Sequence, residues 1–117
     1  MVSEPEKLSK QARRRITDAN NERVLSAVSA WEIAIKHSIG KLELPELPSV
    51  FVPSRMALTL TTPLAVQLSH ALQASRLPFH HRDPFDRLLI AQAQIENVPI
   101  LTADAEFSAY EVEVIRA

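Results

Sequence analysis

The chain has 117 residues, 46% of them apolar, and a formal net charge of −1. That length suits one compact domain and is short for two. There is no Cys, which excludes disulfides and thiolate chemistry, and no apolar run approaches the roughly 20 residues that span a bilayer. A near-neutral charge neither advertises nor excludes nucleic-acid binding, because a basic patch can sit on a neutral protein. Met1 to Lys7 lacks an apolar signal core, and with the absence of Cys this fits a cytoplasmic protein. There is one Gly and no Gly/Ser-rich tract, the eight Pro are scattered, and no repeat is visible. A single domain over residues 1–117 is expected.

In chain order, Ser9 to Ala19 reads as a helix with a polar, basic face of Lys10, Arg13, Arg14 and Arg15. That face suits solvent, a nucleic acid or the acidic surface of a partner. Arg23 to Ala27 reads as a short buried strand. Ser29 then starts a helix, Trp31 to Ser38, with Trp31, Ile35 and Ile39 on one face at spacings of four. Gly40 stands where a helix end favours positive φ. One short helix is expected between Pro45 and Met56, and a strand at Ala57–Thr61, where ALTLT alternates. Thr62-Pro63 has the form of an N-cap followed by Pro at the first helical position. Leu64, Leu68 and Leu72 then mark an amphipathic helix ending near Pro78. Asp83 caps the next helix, Pro84 to about Glu96. Its Leu88, Leu89, Ile90, Ala91, Ala93 and Ile95 cover most of its circumference, so it should be deeply packed. Val98–Thr102 is a strand, Asp104–Tyr110 a turn or short helix, and Val112–Ile115 a last strand. Trp31, Phe85 and Tyr110 read as core or interface residues.

Strands alternating with helices argue for an α/β domain with a mostly parallel sheet. In such sheets, sites form beyond the carboxyl ends of the strands. Three acids fall near such places: Glu32 after the first strand, Asp104 after VPILT, and Asp86 in the first turn of the buried helix. Two readings stand for Glu32 and Asp86. Ser29-Ala30-Trp31-Glu32 has the S-x-x-E form of a capping box, and Asp83-Pro84-Phe85-Asp86 has the same form, with the acid gaining about 0.3–1 kcal/mol from the helix dipole. Equally, acids gathered in one crevice repel one another, and a hard divalent cation relieves that repulsion. Mg²⁺ takes oxygen ligands and commonly uses one or two carboxylates plus a substrate phosphate, and such ions assist phosphodiester cleavage. His80-His81 has no companion at a zinc-like spacing. His81, Arg82 and Arg87 either line a solvated loop or supply positive charge that holds phosphates beside the acids.

Three stretches carry a resemblance: SAVSAWEIAIKHSIGKLELP (Ser26–Pro45), HHRDPFDRLLIAQA (His80–Ala93) and ILTADAEFSAY (Ile100–Tyr110). In order and spacing the chain resembles PIN-domain proteins of the VapC toxin type, from about Leu8 to Val114. The resemblance implies a three-layer α/β/α fold with a mostly parallel sheet. It implies a Mg²⁺- or Mn²⁺-dependent ribonuclease acting on RNA, and a homodimer neutralised by an antitoxin peptide. Of the family's four acids, Glu32, Asp86 and Asp104 carry over as catalytic, metal-holding residues, with Asp83 as a helper. Ser26, Ser29 and Thr102 resemble the small hydroxyl residues that support the site. The family opens with an apolar strand that ends in Asp and lies mid-sheet. Ser3–Ser9 resembles the segment next after that strand, so the first, central strand and its acid are expected to be absent from this chain. Two functions are expected on this basis. One is a metal-dependent endoribonuclease of a toxin–antitoxin system. The other is a catalytically impaired, truncated module that acts through dimerisation or antitoxin binding. A nucleic-acid-binding domain without cleavage is a third.

Overall fold

The computed structural model describes residues 23–79, 83–102 and 105–116. The expected helix Ser9–Ala19 with its basic face, and His80, His81, Arg82 and Asp104, lie outside the described residues. The described chain runs β1 (Arg23–Ser26), α1 (Ala27–Ser38), α2 (Pro48–Leu58), β2 (Thr61–Leu64), α3 (Leu68–Arg76), α4 (Pro84–Glu96), β3 (Ile100–Thr102), a 3₁₀ helix (Ala105–Ala109) and β4 (Val114–Arg116). It is an α/β fold with parallel pairing throughout. β1 pairs with β2, Arg23 opposite Thr61 and Ser26 opposite Leu64. β3 pairs with β4, Ile100 opposite Val114 and Thr102 opposite Arg116. Each parallel pair is closed by a crossover, as parallel strands require: α1 and α2 for the first, the 3₁₀ helix for the second. Among the described residues the expected sheet is thus two separate two-stranded pairs. No helix among them is long and apolar enough to cross a membrane.

The start of α1 corrects the Ser29–Glu32 capping box. Ser26 is the N-cap, its Oγ accepting the Val28 N–H at 3.1 Å. The chain turns at the last residue of β1, which carries Val28 and Ser29 into the interior. Ser29 therefore lies inside the helix, and Glu32 falls in the second turn, beyond reach of the cap. At the other end Gly40 has φ 76°. The Lys41 N–H donates to the Lys36 carbonyl at 2.9 Å and the Gly40 N–H to that of His37 at 3.2 Å. This is the paired closure that a left-handed residue permits. Trp31 is 60% exposed, and Ile39 is exposed beside it, so the Trp31/Ile35/Ile39 face is not the one α1 buries. Tyr110, by contrast, is buried in the core.

Three further expectations between residues 57 and 72 are corrected. ALTLT is not a strand: α2 continues to Leu58, and Thr59 closes it, its N–H and Oγ1 both donating to the Arg55 carbonyl at 3.0 and 2.8 Å. Leu60 then takes φ 52°, and the left-handed residue redirects the chain toward β1. Thr62-Pro63 is not a helix start but the middle of β2. Proline has no N–H to give a ladder, and among the described residues β2 pairs on one side only, so Pro63 is tolerated as in an edge strand. The helix begins at Leu68 instead. Its apolar stripe faces out: Leu68 is 75% and Leu72 57% exposed. The inward face of α3 carries His70, Gln73 and Ala74. His70 Nε2 lies 2.9 Å from Glu96 Oε1, and Gln73 Nε2 donates to Gln94 Oε1 at 2.8 Å. Polar partners on α4 outweigh the leucine pattern in fixing which face of α3 is buried.

The helix α4 is deeply packed over its middle turns, while Leu88 is half-buried and Ile95 is exposed, so the apolar surround is narrower than expected. Leu89, Ile90, Ala91 and Ala93 are buried, and so are the polar Arg87 and Gln92. Ile90, Ala91 and Ala93 share one core with Leu77, Ile100, Phe107 and Tyr110, against which Ala74, Val98, Val112 and Val114 pack. Asp83 caps the helix as expected, its Oδ1 accepting the N–H groups of Phe85 (2.8 Å) and Asp86 (3.4 Å). Asn97, at φ 54°, ends it.

Arg87 corrects a functional expectation. It is 7% exposed. Its Nη1 donates to the Pro78 carbonyl at 2.9 Å, and its Nη2 to those of Ala74 (2.8 Å) and Leu77 (2.9 Å). The guanidinium also lies 4.4 Å from the centre of the Phe79 ring. It closes the C-terminal end of α3, where helix carbonyls lack intrahelical donors, and is not placed to hold phosphates in solvent. Arg87→Met is expected to destabilise the protein by about 2–4 kcal/mol, since three carbonyls lose a charged donor. Arg87→Lys should recover only part, because an ammonium cannot reproduce the planar fork. Urea unfolding measures both, and a loss below about 0.5 kcal/mol for the Met variant would refute the structural role. By the same measurement, Asp83→Ala should cost about 1 kcal/mol, the usual value of an N-cap.

Candidate functional site

The described acids of the site stand on two helices, α1 and α4. Asp86 is half-buried in the first turn of α4. There the helix N-terminus and its dipole favour a carboxylate, and the Asp83 cap holds the turn that carries it. Glu32 is in the second turn of α1, its side chain 28% exposed and its Oε2 3.5 Å from Lys36 Nζ. This is a solvent-facing i, i+4 pair, of the kind that contributes a few tenths of a kcal/mol, so Lys36 does not lock Glu32 away from a stronger cation.

The residues just before these acids touch. The rings of Trp31 and Phe85 lie 4.9 Å apart between centres, at 65° to one another, an edge-to-face pair worth about 0.5–1.5 kcal/mol beyond its burial. The contact brings the segments that bear Glu32 and Asp86 together. Two hydroxyl residues lie at strand carboxyl ends: Ser26 closes β1 and Thr102 closes β3, both fully buried. Ser29 is buried in the first turn of α1. Asp104, His81 and Arg82 lie outside the described residues, and Arg87 is committed to main-chain carbonyls.

The donor chemistry suits a hard cation. Glu32 and Asp86 offer oxygen alone, and the chain has no Cys, which fits Mg²⁺ or Mn²⁺ better than a thiophilic metal. Among the described residues no group of three or more His, Cys, Asp or Glu side chains gathers as a metal cage. A cation held by Glu32 and Asp86 would keep several waters, as Mg²⁺ commonly does.

Two buried side chains were not legible as part of this region. Gln92 on α4 accepts a hydrogen bond from Ser26 Oγ through its Oε1. Its Nε2 donates to the Ala65 carbonyl at 3.3 Å and lies 3.5 Å from His70 Nδ1. His70 Nδ1 accepts the Gln67 N–H at 2.9 Å, which leaves the proton on Nε2, facing Glu96. The one hint in the sequence is a Gln set among apolar residues in LLIAQA.

Comparison with known proteins agrees with the architecture. The PIN-domain family pattern matches residues 1–113. Over 60 residues the chain is 45% identical to ribonuclease VapC16 of Mycobacterium tuberculosis, a match that covers 51% of this chain and 43% of that protein. The chain thus spans less than half the length of the curated relative it matches. With parallel α/β pairing and a match over nearly its whole length, the chain belongs to the PIN-domain family.

Proposed function

We propose that the protein is a metal-dependent endoribonuclease of a toxin–antitoxin system. The observation that carries this reading is the Trp31–Phe85 contact, which brings together the helix segments bearing Glu32 and Asp86 in a chain of the PIN family. The partial match to a protein named as a ribonuclease supports it. In this reading Glu32, Asp86 and Asp104 hold Mg²⁺ or Mn²⁺, and Asp83 helps by fixing the turn that presents Asp86. Such a cation supplies water activation and charge stabilisation at the leaving oxygen.

The chain's own residues do the rest. Glu32, paired only loosely with Lys36, would be available to hold the cation. The positive end of α4 offsets negative charge near Asp86 and the RNA backbone. His81 and Arg82 hold RNA phosphates, a role that does not extend to the buried Arg87. Ser26, Ser29 and Thr102 support the site from the strand ends and the first turn of α1. The partners are RNA, an antitoxin peptide and a second copy of the chain, in the cytoplasm. Light scattering that gives a monomer mass at all concentrations would remove the dimer.

RNA cleavage with Mn²⁺ or Mg²⁺ tests the activity. Asp86→Asn and Glu32→Gln are each expected to slow it by about 100-fold or more, as when one group that stabilises developing charge is removed, and EDTA should abolish it. Arg82→Ala should weaken RNA binding and lower its salt slope by about one. Cleavage indifferent to EDTA and to both acid substitutions would sink the reading. Metal-independent, strongly salt-dependent RNA binding with no cleavage would favour a nucleic-acid-binding domain instead.

A further inference from the structure

We propose that Gln92 is a positioning residue that, through Ser26, sets where Glu32 stands relative to Asp86; this rests on the reading of those two acids as the metal site. Ser26, Gln92 and His70 are all fully buried. Nothing in the formation of α4 calls for a buried amide at Gln92, where a leucine would fill the space. What the amide adds is direction.

The direction is determined by its neighbours. The Ala65 carbonyl can only accept, so it faces the Gln92 NH₂, at 3.3 Å. That puts Gln92 Oε1 toward Ser26, where it accepts the hydroxyl proton. With its proton fixed, Ser26 Oγ presents a lone pair to the Val28 N–H. The hydroxyl that caps α1 is therefore oriented by α4.

This contact works with a second one. Along α1 the tie at Ser26 is followed by the tie at Trp31; along α4 the tie at Gln92 is preceded by the tie at Phe85. The spacings correspond to about 7.5 Å on α1 and about 10.5 Å on α4 at 1.5 Å per residue. Two helices joined at two separated points can neither slide nor pivot freely. Glu32 and Asp86 each adjoin the aromatic tie, so the second tie, at Gln92, is the one that fixes the angle between their helices. A displaced carboxylate would hold such a cation less tightly, since Mg²⁺ demands near-ideal octahedral geometry.

Mn²⁺ binding, followed by the electron paramagnetic resonance of the free ion, tests this apart from activity. Gln92→Met keeps volume and removes the amide; Ser26→Ala removes the hydroxyl. Val112→Ala, which trims a residue packed against the core, serves as a control for general loosening, compared at temperatures that leave each variant equally far below its Tm. Gln92→Met and Ser26→Ala are expected to weaken Mn²⁺ binding about tenfold, the lower range for groups that support metal ligands, while Val112→Ala stays within about twofold of the parent. Unchanged affinity in Gln92→Met and Ser26→Ala would overturn the proposal, and so would an equal loss in Val112→Ala. Glu32→Gln and Asp86→Asn are measured alongside. If these do not weaken Mn²⁺ binding, the metal-site reading itself fails; if they do and Gln92→Met does not, only the positioning role fails.

Discussion

A guanidinium taken out of water must find acceptors for its donors, and a buried amide must do the same at both ends. On α4 these two requirements are met by different neighbours. Arg87 satisfies its side chain on the carbonyls of Ala74, Leu77 and Pro78, which fixes the end of α3 and the chain that leaves it. Gln92 satisfies its own on Ser26 and Ala65, which fixes the start of α1 and the segment after β2. Among the described residues no buried side-chain nitrogen or oxygen lacks a partner. Hydrophobic burial around Ile90, Ala91, Ile100 and Phe107 supplies the driving force. It is non-directional, and the hydrogen bonds of Arg87 and Gln92 select which arrangement of helices it stabilises.

The candidate site inherits its geometry from this packing. Asp86 is carried by the first turn of a helix whose next residues, Leu89 to Ala93, are buried, so a half-buried carboxylate is presented from a rigid base. Glu32 sits on α1, whose cap is the Ser26 hydroxyl hydrogen-bonded to that same base. Trp31 and Phe85 close the gap between the two. Among the apolar residues left in solvent, Trp31 on α1, Ile39 at its end, and Leu68 and Leu72 on α3 belong to faces that the core does not use.

Much of α4 was legible before the fold was known. Asp83, Pro84 and Asp86 are a start signal written within four residues, and the apolar surround of Leu88–Ala93 announces burial without reference to other segments. Gly40 was legible for the same reason: a left-handed residue after a helix is a local demand, and glycine meets it most cheaply. The stretches that misled were those where two local signals compete. Ser26 and Ser29 are both able caps, and the choice fell to Ser26 because β1 ends there and Gln92 holds its hydroxyl. ALTLT alternates as strands do, yet Leu58 and Leu60 are exposed and Thr59 closes a helix. The pattern was right for a strand and the neighbours were wrong for one.

The sequence by itself determined the class of the fold, the helix that carries Asp86, its cap and its stop, and the acids and motifs that mark the family. These depend on interactions over a turn or two, which a linear pattern records. The tertiary structure alone decided that Arg87 serves the end of α3 rather than a phosphate, that α3 buries His70 and exposes Leu68 and Leu72, and that Gln92 reaches Ser26. Each of these depends on a donor meeting an acceptor that is distant in the chain, and the partner of a buried polar group becomes known only when the packing that removes it from water is in place.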